Sequence, residues 1–443
     1  MATASASPRI ERDSIGERTL PPEVYYGVQS LRAAENFPIT GHRCHSEMIV
    51  AIAQIKKAAA LTNGELGLIP ADVADAIVRS CDEIVAGQLH DAFIVDPIQG
   101  GAGTSFNMNA NEVIANRAIE LLGGVKGNYR VVSPNDHVNY GQSTNDVYPS
   151  AGKLAVLEVL IKAVARLGEL KLALEAKADE FDDVLKMGRT QLQDAVPIRL
   201  GQEFRAWSHA IGRDIARLTR AQEEVRVLNM GGTAVGTGLN ADEEYVRRIV
   251  PALSAVTGLE LRQSEDLIDG TQNLDCYPAV SGAVKACAVN LSKMCNDLRL
   301  LSSGPRCGLG EIELPPMQNG SSIMPGKVNP VIPEVVNQVA FLIMGHDVTV
   351  TMAAEAGQME LNAFEPVIFH CLIESIQSLD HAVGTLIEHC IVGIKANRER
   401  CQALVDGSVG IITALVPHIG YQNAADLAKR AIKTGASVKE LLL

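Results

Sequence analysis

The chain has 443 residues, of which 47% are hydrophobic and 21% charged, so it is long enough for several domains around a sizeable core. Its formal net charge of −13 argues against a protein that binds nucleic acid or an anionic membrane, but not against a locally positive pocket for a small anion. Aromatic residues make up only 4%, which favours packed helices over a β-sandwich.

The N-terminus, MATASASPRIERDS, is polar and lacks the apolar segment of a secretory signal peptide. No run of about 18 apolar residues occurs, so no membrane-spanning segment is expected. The nine cysteines are dispersed and include no C-x-x-C pair, so neither a disulfide framework nor a cysteine zinc site is expected. Together these features predict a soluble protein of the cytoplasm.

The region before about residue 140 is predicted to form shorter helices and loops, and the region after about 398 a small helical terminus. Residues 151–186 carry apolar side chains at helical spacing and would form one helix of roughly 50 Å. Several long segments are apolar on more than one face, as in VVNQVAFLIMG, and association of subunits is expected to cover them. The further long helices are predicted at 199–228, 279–303, 331–356 and 366–397.

Polar, glycine-rich connections between the helices hold the candidate functional side chains. The first, IQGGAGTSFNMNANE at 98–112, contains Thr104 but no Walker lysine, so a phosphate loop is not indicated. A glycine-rich turn at a helix start aims backbone N–H groups at a carboxylate, although a capped turn explains the same residues.

Two further connections flank the long helix. NYGQSTNDVYPS at 139–150 places Ser143, Thr144 and Asn145 just before it, where N-capping is the simple explanation and anion binding is compatible with capping. MGRTQLQDAVP at 187–197 contributes Thr190 and Gln191, and alone it predicts only a loop between two helices.

The last connection, NGSSIMPGKVNPVIPE at 319–334, brings hydroxyl, amide and amine groups together in one loop. Its glycines free the backbone and its prolines restrict it, which is typical of a lid with defined pivots. A serine near a lysine is a candidate nucleophile or base, and an ordinary surface loop is the alternative. The loop contains Ser321, Ser322, Lys327 and Asn329.

Other chemistries lack their motifs. The chain has no H-E-x-x-H and no G-x-S-x-G, and GGTAVGTG at 231–238 does not have the spacing of a dinucleotide-binding turn. Of the ten histidines, His137 alone lies near a candidate loop, and we interpret it as structural or as a support for the side chains that contact the substrate. No metal ligands and no cofactor-binding residues are therefore predicted.

Taken together, the four connections resemble the aspartase/fumarase superfamily, and its aspartase branch closely. GSSIMPGKVNP looks like the superfamily signature. GTSFNMNANE, QSTNDVYPS and GRTQLQDAVP resemble the aspartase forms, where fumarases typically read GTQTNMNVNE, QSSND and GRTHLQDA. YYGVQSLRAAENFPITG also matches, so the resemblance extends from about residue 9 to the end of the chain.

This resemblance implies an all-α, three-domain fold with a long central helical bundle. Four subunits would assemble into a homotetramer with a twenty-helix core, and loops of three subunits would build each active site. The expected domains are an N-terminal helical domain at 1–142, the central bundle at 143–397 and a small C-terminal domain at 398–443. Because the chain ends in KELLL, earlier than is usual for the family, the last domain is expected to be incomplete.

The resemblance also implies a reaction, the reversible anti-elimination of ammonia from L-aspartate to give fumarate. Removing a C3 proton produces a dianionic aci-carboxylate, which needs preorganised hydroxyl and amide donors. Ser321 matches the general base, which acts as an alkoxide when the loop closes. The family's cofactor-free chemistry implies no required cofactor, and activation by a divalent cation cannot be read from the sequence.

The remaining site residues follow from the same resemblance and divide by the part of the substrate they would contact. Four hydroxyl groups would hold the aci-carboxylate, two side chains the other carboxylate, and three the surroundings of the amino group. The hydroxyl groups for the aci-carboxylate belong to Thr104, Ser143, Thr144 and Ser322. Lys327 and Asn329 would hold the other carboxylate, and Asn145, Thr190 and Gln191 would surround the amino group.

Gln191 stands where many relatives, fumarases included, carry histidine. An amide can neither donate a proton as a general acid nor activate water, so Gln191 favours loss of ammonia over loss of water. Glu334, which fumarases pair with that histidine, is expected to be structural here. The alternatives left open are a fumarate hydratase, a lyase for an N-substituted aspartate, a Ser/Lys amidase and a non-enzymatic scaffold.

Overall fold

A computed structural model describes residues 8–442, apart from the side chain of Lys439. The prediction about the N-terminal segment rests partly on residues 1–7, which lie outside the described residues. Helices account for 62% of the protein and the sheets are small, so the all-α class is confirmed.

The helices fall into short ones near the two ends and long ones between them. The helices are α1 Val28–Asn36, α2 Ser46–Glu65, α3 Ala71–Val85, α4 Thr104–Leu121, α5 Thr144–Glu180, α6 Leu200–Glu224, α7 Glu243–Thr257, α8 Leu267–Gln272, α9 Cys276–Leu301, α10 Val331–Glu355, α11 Glu365–His389, α12 Arg398–Gly407, α13 Ile411–Ile419, α14 Tyr421–Thr434 and α15 Val438–Leu442.

The strands of the described residues form two-stranded ladders. β1–β2, β3–β4 and β7–β8 are antiparallel and β5–β6 is parallel. The strands are β1 Arg9–Asp13, β2 Gly16–Leu20, β3 Leu185–Thr190, β4 Gln193–Arg199, β5 Val227–Leu228, β6 Arg262–Gln263, β7 Ile312–Glu313 and β8 Lys395–Ala396.

The chain divides into two compact units. Unit 1 comprises residues 1–162, 218–284 and 344–377, and unit 2 comprises 163–217, 285–343 and 378–443. The domain boundaries expected from the sequence, at 142/143 and 397/398, stay predictions.

The core of unit 1 combines aliphatic helix faces with a small aromatic cluster. α2 packs on α3 and α7, and its Ile52 and Ile55 are fully buried. The aromatic rings meet edge to face or tilted, as with Tyr148 and Phe369, whose centroids are 5.4 Å apart.

Unit 2 has its own core, in which Phe204 contacts both Phe181 and Trp207 with ring centroids 5.3 and 4.8 Å away. A separate apolar cluster joins the C-terminal helices, and it confirms the small helical terminus predicted after residue 398. This cluster consists of Ile412, Ala424, Leu427, Ala431 and Val438.

The long helix starts earlier than predicted, at Thr144 rather than 151, although Pro149 lies inside it. Proline has no N–H to donate to the carbonyl four residues before it, which here belongs to Asn145. The side chain of Asn229 replaces that donor, with its Nδ2 2.9 Å from the Asn145 carbonyl oxygen. The helix therefore tolerates a residue that normally interrupts helices.

The prediction of a loop between helices at 187–197 is wrong. This segment forms most of a β-hairpin. α5 ends at Glu180, and β3 and β4 follow in antiparallel register. The glycine-rich connections at 98–112 and 139–150 are also shorter than predicted, because α4 begins at Thr104 and α5 at Thr144.

One helix qualifies the expectation that no segment could span a membrane. α10 is long and apolar enough to cross a membrane, because its most apolar 18 residues have a mean hydropathy of 1.2. Of those residues, 33% are buried. α12 and α13, bent by 52°, pass the same test as a pair. Length and composition alone do not distinguish a membrane span from a bundle helix.

Candidate functional site

In unit 1, the N-termini of α4 and α5 lie side by side. Thr104 is the first residue of α4, is exposed, and donates its hydroxyl to the Gly101 carbonyl at 2.7 Å. One turn further, Asn107 donates to the Thr144 hydroxyl oxygen at 3.1 Å. Two neighbouring helix N-termini that carry hydroxyl side chains form a favourable place for a carboxylate.

This close approach requires glycine at position 103. Gly103 precedes α4 with φ +87°, and a Cβ atom there would lie 2.3 Å from the ring of Tyr148. The glycine-rich segment 98–103 therefore has a steric reason, since a larger residue would separate the two helix starts.

Ser143 forms a reciprocal cap at the start of α5, as predicted. Its hydroxyl oxygen accepts from the Asn145 N–H at 3.2 Å, and its own N–H donates to the Asp146 carboxylate at 2.9 Å. Asp146 is buried, which raises its pKa to about 6, while backbone N–H groups of Ser143, Thr233 and Gly231 act in the opposite direction.

The glycine-rich loop 231–238 fixes this helix start, a role that the sequence analysis did not find. Gly231 and Thr233 each donate a backbone N–H to Asp146 at 3.1 Å. The Asn145 side-chain amide in turn donates to the Ala234 carbonyl at 2.8 Å. The glycine-rich sequence GGTAVGTG could have indicated such a loop, but it was considered only as a dinucleotide-binding turn.

A buried polar network lies beneath Thr144. Lys56 donates to the side-chain oxygens of Asn139 and Gln142 at 2.8 and 2.9 Å. Burial lowers the pKa of Lys56 to about 7, while the nearby carboxylate of Asp146 acts to raise it. Asn107 joins the network through Asn139 and keeps its own side-chain oxygen without a partner. The hydroxyl of Thr144 is thus held from below by a preorganised set of amides.

In unit 2, Thr190 and Gln191 lie at the exposed tip of the β3–β4 hairpin. The two turn residues, Gln191 and Leu192, have φ values of +53° and +63°. Such turns favour Asn-Gly, so two larger side chains in this conformation carry backbone strain. Backbone strain of this kind is often found at functional sites. In this turn Thr190 and Gln191 are both exposed.

A buried charge network holds the hairpin in place. Glu311, which is fully buried, accepts from Arg189 at 3.0 and 3.1 Å and lies 3.3 Å from the Lys186 ammonium. Lys186 also pairs with Glu203 at 2.8 Å. On the other strand, Asp194 accepts from the Ser408 hydroxyl at 2.6 Å.

The loop at 319–330 aims two backbone N–H groups at the hydroxyl oxygen of Ser321. Those of Ile323 and Met324 both lie 3.2 Å from the Ser321 Oγ. Two N–H donors on one oxygen stabilise its negative form, as in an oxyanion hole. The Ser321 oxygen therefore accepts two backbone N–H groups, an arrangement that would stabilise negative charge on that oxygen.

The neck of this loop is closed by backbone contacts. The Ser321 N–H donates to the Lys327 carbonyl at 3.2 Å, and a Cβ atom on Gly320 would lie only 1.6 Å from the same oxygen. Ser322, Lys327 and Asn329 are all exposed on the loop. Glycine at 320 is thus needed for the tight turn that presents Ser321.

The predicted site residues therefore form three groups. Thr104, Ser143, Thr144 and Asn145 come together in unit 1 at the paired helix starts. The hairpin tip and the 319–330 loop carry the others in unit 2, and no hydrogen bond links tip to loop among residues 8–442. Outside these groups, the His137 Nδ1 accepts the Ser133 N–H at 3.0 Å, in keeping with the structural role we gave it.

The described residues form a helical fold with dispersed polar loops, and comparisons with known families show which class of protein it is. Residues 16–345 match the family model described as Lyase, and residues 411–443 match the model described as fumarase C C-terminus. The chain belongs to this lyase family, the aspartase/fumarase superfamily that the sequence resembles.

Curated relatives match almost the whole chain. An aspartate ammonia-lyase of a Bacillus species is 55% identical over 98% of this chain and 93% of its own length. The aspartate ammonia-lyases of Bacillus subtilis and Escherichia coli K12 are 53% and 52% identical over 98% of this chain, each matched over 92% of its length.

Solved structures show the same fold. A fumarate lyase:delta crystallin from Brucella melitensis bound to cobalt is 50% identical, with a TM-score of 0.96 over 98% of this chain and 95% of that one. A class II fumarase from Schistosoma mansoni is 37% identical, with a TM-score of 0.94 over 98% of this chain and 94% of that one.

Proposed function

We propose that the chain is an aspartate ammonia-lyase, a carbon–nitrogen lyase that reversibly eliminates ammonia from L-aspartate to give fumarate. The observation that carries this proposal is the Ser321 hydroxyl with two backbone N–H groups aimed at its oxygen. The aspartate ammonia-lyases that match nearly the whole chain at 52–55% identity support it further.

Ser321 acts as the general base. As an alkoxide held by the N–H groups of Ile323 and Met324, its oxygen takes the proton from C3 of aspartate. The electron pair of the broken C–H bond moves onto the neighbouring carboxylate and gives the aci-carboxylate. When that pair returns, the C–N bond breaks and ammonia leaves.

The paired helix starts of α4 and α5 receive the doubly negative carboxylate. Thr104, Ser143 and Thr144 present hydroxyl groups there, and the Ser322 hydroxyl completes the set from the 319–330 loop. Donors placed before the reaction stabilise charge that develops only in the transition state. Lys327 and Asn329 bind the other carboxylate, and Asn145, Thr190 and Gln191 surround the amino group.

Gln191 makes this site better suited to ammonia than to water as the leaving group. The amide has no proton to give as a general acid, so hydroxide would have to leave unaided. An ammonium group needs no such help, because it departs as the neutral amine. Fumarate hydratase is therefore the second candidate, supported by the class II fumarase among the similar structures.

Purified protein mixed with L-aspartate is expected to raise the ultraviolet absorbance of fumarate, whereas L-malate is expected to leave it unchanged. Activity on malate alone would support the hydratase instead. Activity confined to N-substituted aspartates would support the lyase for a substituted amine, and silence on all three would support the non-enzymatic scaffold.

We further propose that the protein is a homotetramer with a twenty-helix core and active sites built from three subunits. α10 supports this assembly, because it exposes a row of apolar side chains between 40% and 64% accessible. A face of this size on a helix normally packs against another protein surface. The row consists of Val335, Phe341, Leu342, Val348 and Met352.

Replacing Phe341 by glutamate is expected to dissociate the tetramer, since a charge would be buried in an apolar interface. Analytical ultracentrifugation measures the change in mass. Val125→Glu is the matched control, because Val125 is an apolar side chain that is 77% exposed and lies in the connection after α4 rather than on α10. A wild-type monomer, or a Phe341→Glu variant of unchanged mass, would contradict the proposed interface.

The proposed reaction requires no organic cofactor, because the base, the carboxylate donors and the leaving group all come from the chain or the substrate. L-aspartate, fumarate and ammonia are its small-molecule partners, and no nucleic acid or membrane is needed. We place the enzyme in the cytoplasm on the ground that all nine cysteines are free thiols. Cell fractionation tests that placement.

A further inference from the structure

Unit 1 contains a histidine cluster that the proposed reaction does not use. His45 is the residue just before α2, and His370 and Glu374 lie four residues apart on one face of α11. The rings of His45 and His370 have centroids 5.6 Å apart. One ligand atom from each of the three side chains lies within 4.8 Å of the other two.

Two of the three ligand atoms are already spaced as in a metal site. His45 Nε2 lies 3.4 Å from the Glu374 Oε1. In a tetrahedral zinc site with bonds of 2.0–2.2 Å, two ligand atoms are separated by about 3.3–3.5 Å. The pair therefore needs little movement to bind one ion together.

The two imidazoles also have unused nitrogen atoms. His45 Nε2 and His370 Nδ1 are buried and make no hydrogen bond among the described residues. An unpaired buried nitrogen is costly, and a bound cation would remove that cost. For comparison, the nearby His346 pairs its Nδ1 with the Ser375 hydroxyl at 3.0 Å.

Burial favours the neutral form of both imidazoles, which is the form that binds metal. Burial lowers the pKa of His45, although Glu374 acts to raise it, and burial likewise lowers the pKa of His370. The neighbouring Cys44 thiol has another partner, since it donates to the Val95 carbonyl at 3.5 Å.

We propose that His45, His370 and Glu374 form a binding site for a divalent first-row transition metal ion of the zinc or cobalt type. Two imidazoles and one carboxylate suit such ions, whereas magnesium and calcium prefer sets of oxygen ligands. Three protein ligands leave a further position for water. The sequence alone does not reveal this site. His45 lies at least 325 positions before the other two residues, and His370 and Glu374, four positions apart, belong to no recognised metal motif.

The bound ion would join the start of α2 to α11. α11 also carries Phe369, whose ring packs on Tyr148 in α5. None of the side chains proposed to bind substrate is a ligand. The ion is therefore expected to stabilise unit 1 without taking part in the elimination, and the proposal is independent of the proposed function.

The test uses the full-length protein, stripped with a chelator, dialysed, and titrated with zinc chloride or cobalt chloride alone. We expect one ion per chain, a rise in the thermal midpoint, and visible absorption bands of cobalt bound by nitrogen and oxygen. Magnesium chloride at the same concentration is expected to produce no comparable rise.

His370→Gln and Glu374→Gln are each expected to weaken zinc binding at least tenfold while leaving the circular dichroism spectrum unchanged. His381→Gln is the matched control, because His381 is exposed on the same helix and outside the cluster. Unchanged zinc affinity in both ligand variants would overturn the proposal, as would an equal loss in the control. Loss of affinity in the ligand variants only would support it, whether or not the elimination is active.

Discussion

Replacing Ser321 by alanine is expected to lower kcat for aspartate elimination by about a thousandfold or more, because removing a general base typically costs two to four powers of ten. The variant keeps the backbone N–H groups of Ile323 and Met324 but has no oxygen for them to stabilise. The Ser321 side chain makes no other described hydrogen bond. The fold and the mass of the assembled oligomer should therefore stay as in the wild type.

Steady-state kinetics with L-aspartate measure this effect, and Ser14→Ala provides the control. Ser14 is an exposed turn residue between β1 and β2, and its substitution should leave kcat unchanged. A Ser321→Ala enzyme with a rate near that of the wild type would show that another group removes the C3 proton. KM for aspartate should change far less than kcat, since the hydroxyl acts mainly in the transition state.

Replacing Glu311 by alanine is expected to destabilise the protein by about 3–5 kcal/mol, the usual cost of removing one partner of a buried ion pair. The substitution leaves Arg189 and the buried Lys186 without the carboxylate that lies between them. Because Glu203 pairs with Lys186 from the other side, that lysine keeps a partial partner.

Urea unfolding measures this loss, and Glu313→Ala is a matched control two residues away. Glu313 is exposed, so its removal should change the free energy of unfolding by no more than about 0.5 kcal/mol. Glu311→Ala should also raise KM, since Arg189 precedes the hairpin tip that carries Thr190 and Gln191. Equal stability of the two variants would mean that the network contributes nothing net.

The long helices were predictable because their signal is local and repeated. Apolar residues at helical spacing predicted α6, α9, α10 and α11 to within a few residues, except that α11 ends at His389 rather than 397. The Ser143 cap was predictable for the same reason, since capping depends on residues at most three positions apart.

The hairpin at 185–199 was not predictable in this way. The sequence MGRTQLQDAVP shows no clear alternation of apolar and polar residues, and its turn lacks glycine. What supports β3 and β4 lies elsewhere in the chain, in Glu311 and Ser408. Such partners cannot be recognised before the chain has folded.

The sequence by itself determined the helical class, the places of the polar loops and, through its resemblance, the set of side chains proposed to bind substrate. Only the tertiary structure revealed the two N–H groups on the Ser321 oxygen, the glycine loop that holds Asp146, and the approach of His45 to His370. The physical reason is range: helix periodicity and capping act over a few residues. Hydrogen bonds, ion pairs and metal ligation need only nearness in space, which folding alone provides.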